Sequence, residues 1–163
     1  MKELKARCVG FAAVEQKLRQ MDAPKATEVK ERATYFDTEG RGALKIVQDE
    51  SGGSMTLAVY NEEDGCFDIV SSPIGNVEGM RRVLTKLFRR TEQISMDKKV
   101  YPLGEVEVWL VHIDRLGNFV LIRSENEGPE KLHEILNKLG LEPEEIVKED
   151  FGELVSGAGK KIG

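Results

Sequence analysis

Apolar residues recur at two different periods along this chain, and the switches between them divide it into elements. Phe11, Val14, Leu18 and Met21 are spaced three and four apart, which predicts an amphipathic helix stopped by Ala23-Pro24. Asn76 is placed to cap a second helix carrying Val77, Met80, Val83, Leu84, Leu87 and Phe88 on one side. Between these helices and after them, residues 3–9, 28–36, 43–48, 55–60, 66–71, 93–101, 105–114 and 118–123 read as strands. The separators are short and rich in Gly, Asp and Glu, as at 37–42, 50–53 and 62–65, or take the form Pro102-Leu103-Gly104 and Arg115-Leu116-Gly117. Such separators suit tight antiparallel connections. Gly128-Pro129 then opens a helix with Leu132, Ile135, Leu136 and Leu139 inward, and Gly140 ends it. A further short helix is expected over 142–148, and a flexible tail over 157–163.

Eight strands in mostly hairpin order predict an α+β fold: an eight-stranded antiparallel β-barrel with helices packed outside. Closure is the natural outcome, because it removes exposed strand edges. The expected organisation is one domain over 1–156. The 163 residues suffice for a core that needs no disulfide or metal to fold.

Charge narrows the partners. The formal net charge is −5, and it is unevenly placed. Residues 1–123 hold 19 basic and 19 acidic side chains, whereas 124–159 hold 3 basic and 10 acidic. An acidic chain with no basic stripe argues against nucleic acid as a partner. No apolar run is long enough to span a bilayer, and no apolar signal region follows the first charges. Cys8 and Cys66 make no disulfide framework and lack metal-ligand spacing. A soluble, cytoplasmic protein is expected. No Walker loop, dinucleotide fingerprint or nucleophile elbow is present, so covalent catalysis is not indicated.

Alternation assigns strand faces. Glu3, Lys5 and Arg7 share one face of the first strand, and Leu4, Ala6 and Cys8 share the other. In the strand over 105–114, Trp109, Val111 and Ile113 look like the side that packs under helices. By that reading Leu110, His112 and Asp114 point into the barrel. An inward Asp and His beside an inward Glu-Lys-Arg set would form a polar tunnel.

These residues resemble a known family. Glu3-Leu4-Lys5-Ala6-Arg7 is similar to the Glu-x-Glu-x-Lys signature of the CYTH superfamily, the triphosphate-tunnel group that includes class IV adenylyl cyclases and thiamine triphosphatases. Thr34-Tyr35-Phe36-Asp37 followed by Leu44-Lys45-Ile46 is similar to that family's Asp-Thr-Tyr-Phe … Leu-Lys-Leu-Arg hairpin, and His112-Ile113-Asp114-Arg115-Leu116-Gly117-Asn118-Phe119 resembles its His-Leu-Asp … Leu-Gly-x-Phe segment. Asp150-Phe151-Gly152-Glu153-Leu154 resembles its closing element. The resemblance implies a triphosphate or other small polyanion held inside the barrel, with Mg²⁺ or Mn²⁺ and with hydrolysis or ATP cyclisation as the chemistry. Phosphoryl transfer of this kind depends on positioning and charge neutralisation. Carried onto this sequence, Lys5, Arg7, Lys45, Lys98 and Arg123 would grip phosphate, and Arg41 would assist from the turn. Glu3 and Asp114 would hold the metal, and Lys5 and His112 would take the catalytic part.

The departures fall on the chemistry. Met1 stands where the first signature Glu belongs, Ala43 and Val47 replace basic positions, and Leu110 replaces another. Leu121-Ile122-Arg123 stands where the family carries Glu-x-Glu, so Arg123 would repel a cation where a ligand is expected. The alternative expectation is a non-catalytic binding or interaction module that has kept the barrel and lost the metal site.

Overall fold

The alternating segments become eight strands: β1 (Lys2–Cys8), β2 (Thr27–Phe36), β3 (Ala43–Asp49), β4 (Gly52–Asn61), β5 (Cys66–Ile74), β6 (Arg90–Leu103), β7 (Val106–Ile113) and β8 (Gly117–Ser124). In this computed structural model, residues 1–162 are described, with side chains as far as Gly157. The strands pair antiparallel throughout and close into a barrel in the order β1-β5-β4-β3-β2-β6-β7-β8. The expected α+β barrel is therefore the fold. Four helices accompany it: α1 (Ala12–Gln20), α2 (Val77–Leu87), α3 (Pro129–Lys138) and α4 (Phe151–Ile162). The tail expected over 157–163 falls, from 158 on, outside the described side chains.

The helices cover the apolar outer faces of the strands. Leu4, Ala6, Val108, Leu110, Val120 and Ile122 meet Val14 and Leu18 of α1 and Leu132, Ile135 and Leu136 of α3. Burying each such side chain stabilises the fold by roughly 1.5–3 kcal/mol. On another sector, Phe36 and Ile46 pack under Leu84 of α2. The start of α2 is held as the sequence predicts, with the Gly79 N–H donating to Asn76 Oδ1 at 2.8 Å.

The barrel has a seam. β1 pairs with β8 along its whole length but with β5 only at Lys2 and Glu3. Beyond Glu3 the free edge of β1 is taken by the segment after α3. Ile146 bridges Ala6, and the Val147 N–H donates to the Lys5 carbonyl at 2.8 Å. This pairing corrects the short helix expected over 142–148, of which only a 3-10 turn at Pro143–Glu145 forms. Strand-like hydrogen bonding at 146–147 competes with helix there and wins, because an open edge is costly. The chain then turns at Asp150 and sends Phe151 and Val155 into the barrel, where they join Tyr35, Phe67, Ile94, Ile113 and Phe119. Phe151 and Phe119 meet edge to face at 4.9 Å. One end of the barrel is thereby closed by an apolar plug. Gly152 is required where the plug passes Tyr35, since a Cβ there would stand 2.8 Å from the ring.

Candidate functional site

Above the plug the inward side chains turn polar. Glu3 and Lys5 of β1, Glu31 of β2, Lys45 of β3, Lys98 of β6 and Arg123 of β8 line a cavity of about 110 Å³. Each arrives by strand alternation, with Leu4, Ile46 and Ile122 on the outer face holding the phase. Thr56 of β4 and Ser71 of β5 add hydroxyls to the opposite wall, 3.0 Å apart. Four cations face two carboxylates, so the lumen carries two positive charges in excess.

Those charges are held unequally. Lys98 forms a buried ion pair with Glu31, and its ammonium rests 3.6 Å from the centroid of the Trp109 ring. Burial draws the Lys98 pKa down, and Glu31 opposes that shift. Arg123 places Nε 3.0 Å from Glu3 Oε2 and its guanidinium carbon 3.8 Å from the same indole centroid. Lys5 and Lys45 have no such carboxylate partner. Lys5 is 3% exposed and donates to the Glu149 carbonyl at 3.0 Å, with Phe67 and Phe151 rings against its ammonium. Burial lowers its pKa from 10.5 to about 8, with Glu3 opposing and Lys45 reinforcing the shift. Lys45 lies 3.5 Å from the Tyr35 hydroxyl. Burial holds that hydroxyl protonated well above its ordinary range.

The expected site residues divide accordingly. Glu3, Lys5, Lys45, Lys98 and Arg123 meet in the lumen. His112 and Asp114 do not, which corrects the face assigned to β7. Trp109, Val111 and Ile113 point inward, and Leu110 packs outside under the helices. His112 is on the outer surface, its Nδ1 2.8 Å from Asn118 Oδ1, and the Asp114 side chain is 97% exposed. From Val108 to Val111 both sides of β7 are apolar, and its two polar residues, Glu107 and His112, fall on opposite faces, so alternation of polarity carries no phase there. Arg7 is exposed with its guanidinium over Phe119, and Arg41 is a turn residue whose Nε donates to the Thr38 carbonyl at 2.8 Å. Neither lines the cavity. Glu31 and Trp109 are lumen residues that the sequence reading missed. Glu31 shares its face with Ala33 and Tyr35, and that alternation was the available signal.

The carboxylates of the lumen are already engaged by cations, which bears on a divalent metal. Glu3 is engaged by Arg123 and Glu31 by Lys98, while Asp114 lies on the other side of the wall. Among the described residues no group of three or more His, Cys, Asp or Glu side chains is placed to hold a metal ion. Mg²⁺ wants several oxygen ligands, and cations beside the two carboxylates repel it. The residues present do not fit Mg²⁺ or Mn²⁺.

An antiparallel eight-stranded barrel with a charged lumen, plugged at one end, defines a protein of the triphosphate-tunnel class. The CYTH domain model matches residues 1–150, and the chain belongs to this family. Solved structures agree on the fold. The PH1012 protein from Pyrococcus horikoshii OT3 superposes with a TM-score of 0.82 at 19% identity, covering 94% of this chain and 99% of the other. A candidate adenylate cyclase from Vibrio parahaemolyticus gives 0.75 at 16% identity, covering 95% and 97%. A candidate adenylyl cyclase from Hippeastrum with a dominant triphosphatase activity gives 0.63 at 16% identity, covering 96% and 95%. At these identities the likeness is one of fold. No match is found among curated proteins.

Proposed function

We propose that this protein captures a small polyanion, a triphosphate or a comparable phosphoanhydride, inside the barrel, and that capture rather than turnover is its role. The observation that supports this most directly is the lumen's two-charge excess, carried by Lys5 and Lys45, which form no ion pair with a lumen carboxylate. A cavity of low dielectric with surplus fixed cations favours an anionic ligand strongly. The donor set does not favour turnover. The lumen has no histidine to move a proton and no carboxylate free of a cationic partner. The free thiols of Cys8 and Cys66 fit a reducing compartment such as the cytoplasm.

Titration calorimetry with tripolyphosphate, with and without Mg²⁺, tests the proposal. Saturable binding, with no phosphate released from tripolyphosphate or ATP and no cyclic nucleotide formed, is the expected result. Absence of binding overturns it, and phosphate or cyclic nucleotide released with Mg²⁺ or Mn²⁺ would assign catalysis instead.

A further inference from the structure

Among the described residues, three buried side-chain polar atoms lack a hydrogen-bond partner: Thr34 Oγ1, Trp109 Nε1 and Arg123 Nε. Two of the three belong to side chains that line the lumen and touch each other. Trp109 is the only tryptophan in the chain, and its indole nitrogen can only donate. Arg123 Nε lies within ion-pair distance of Glu3, but its N–H makes no hydrogen bond to that carboxylate. The pair therefore offers two buried N–H groups without acceptors.

Buried donors of this kind are rare in native proteins, because each costs on the order of 1–3 kcal/mol when unpaired. Their positions are firmly set. Trp109 sits between its register partners Val100 of β6 and Leu121 of β8, with Lys98 and Arg123 against its ring. Cation–π contact fixes ring and guanidinium relative to one another. Water could accept from the two N–H groups. An oxyanion does so too and also neutralises surplus charge that water leaves unmatched.

We infer that Trp109 Nε1–H and Arg123 Nε–H form a two-donor subsite for a phosphate group of the bound anion, so that nitrogen donors do the gripping and no divalent metal is needed. This rests on the polyanion reading and adds to it the residues that recognise the ligand. Arg123 acts as a resident cation, anchored by Glu3, and Trp109 as a neutral donor beside it. The excess over a purely electrostatic lumen is geometric: a lysine at 123 would keep the charge but lose the Nε–H and the flat contact with the ring.

The single indole gives one indole N–H resonance, which makes the wild-type protein its own reporter. Tripolyphosphate added to ¹⁵N-labelled protein in excess chelator should shift that resonance downfield and slow its exchange. By calorimetry in chelator, Trp109→Phe and Arg123→Lys should each weaken tripolyphosphate about ten-fold or more, the loss expected for a hydrogen bond to a charged group. Thermal melts confirm that each variant is folded. Two results separate the failures. Wild-type binding with an unmoved indole resonance, and with both variants binding as wild type, overturns the subsite and leaves the polyanion reading standing. No binding by the wild type, with or without Mg²⁺, overturns both. Binding that chelator abolishes and Mg²⁺ restores overturns the metal independence inferred here.

Discussion

Lys5 offers the sharpest test of the tunnel's electrostatics, because the fold holds its charge at a cost. The ammonium is buried among Phe67 and Phe151, and burial brings its pKa from 10.5 to about 8. That difference corresponds to about 3 kcal/mol by which burial disfavours the charged form. Because the folded pKa lies below the unfolded one, the unfolded chain holds the Lys5 proton through pH values at which the folded chain has released it. Stability from this group therefore rises with pH between about 8 and 10.5. Integrated from about pH 7 to about pH 9.5, the gain is about 2 kcal/mol. Other groups work against it. Burial raises the thiols of Cys8 to about 11 and Cys66 to about 12, so the unfolded state ionises them first and stability falls as pH rises past 9.

A comparison with Lys5→Met removes those shared terms. Methionine keeps a straight apolar chain against the two rings but leaves the Glu149 carbonyl without its donor, a penalty of about 1–3 kcal/mol that does not titrate. Urea unfolding of both proteins at several pH values gives the stability difference at each. The wild type should gain about 2 kcal/mol on the variant between about pH 7 and about pH 9.5. Saturating tripolyphosphate should flatten that gain, since an anion beside Lys5 restores its affinity for the proton. A difference that stays constant across the window would refute the buried-charge account of Lys5. A gain unaffected by bound tripolyphosphate would detach Lys5 from the ligand.

Two further outcomes check the geometry. Gly152→Val should destabilise the protein by about 1–3 kcal/mol in a urea or thermal melt, because the new Cβ meets the Tyr35 ring at 2.8 Å with Asp150 Oδ1 at 2.9 Å; an unchanged midpoint would mean that the plug does not pack against Tyr35. His112→Ala and Asp114→Asn should leave polyphosphate affinity within about two-fold of wild type by calorimetry, since both side chains lie on the outer wall. A loss beyond ten-fold for either would return β7 to the phase first expected of it.

How far the sequence carries depends on how much contrast each strand has between its two faces. In β1 the contrast is complete, with Leu4 and Ala6 against Glu3 and Lys5, and the inward set follows directly. In β3, Lys45 stands between Leu44 and Ile46, and its face is equally plain. β7 has no contrast. Val106, Val108 and Leu110 are as apolar as Trp109 and Val111, so the helix-covered side and the lumen side read alike. The missing information is pairing. Lys99, Leu110 and Val120 stand opposite one another across β6, β7 and β8, and Val120 lies on the outer face with Ile122. β2 fails for the opposite reason: Glu28, Lys30, Glu31 and Arg32 put charge on both faces, which hides Glu31 among solvated neighbours. The plug was out of reach of local pattern altogether, because 146–150 take their conformation from the free edge of β1.

The position of Arg123 also changes what the missing acidic pair means. Read from sequence, an arginine in place of Glu-x-Glu is a repulsive intruder. In the fold it lies against Trp109 and Glu3, and Lys98 lies against the same ring with Glu31 beside it. The two cations repel each other, and the charge on Arg123 adds to the fall that burial causes in the Lys98 pKa. Each of these cations has a carboxylate and a π-face to offset that. The two ion pairs and the shared indole make this gathering of cations tolerable, while Lys5 and Lys45 leave the lumen short of negative charge. A tunnel built this way has its cations already in place and gains most from an anion that arrives alone. The same substitution that weakens the case for metal chemistry therefore strengthens the case for metal-free capture of a polyanion.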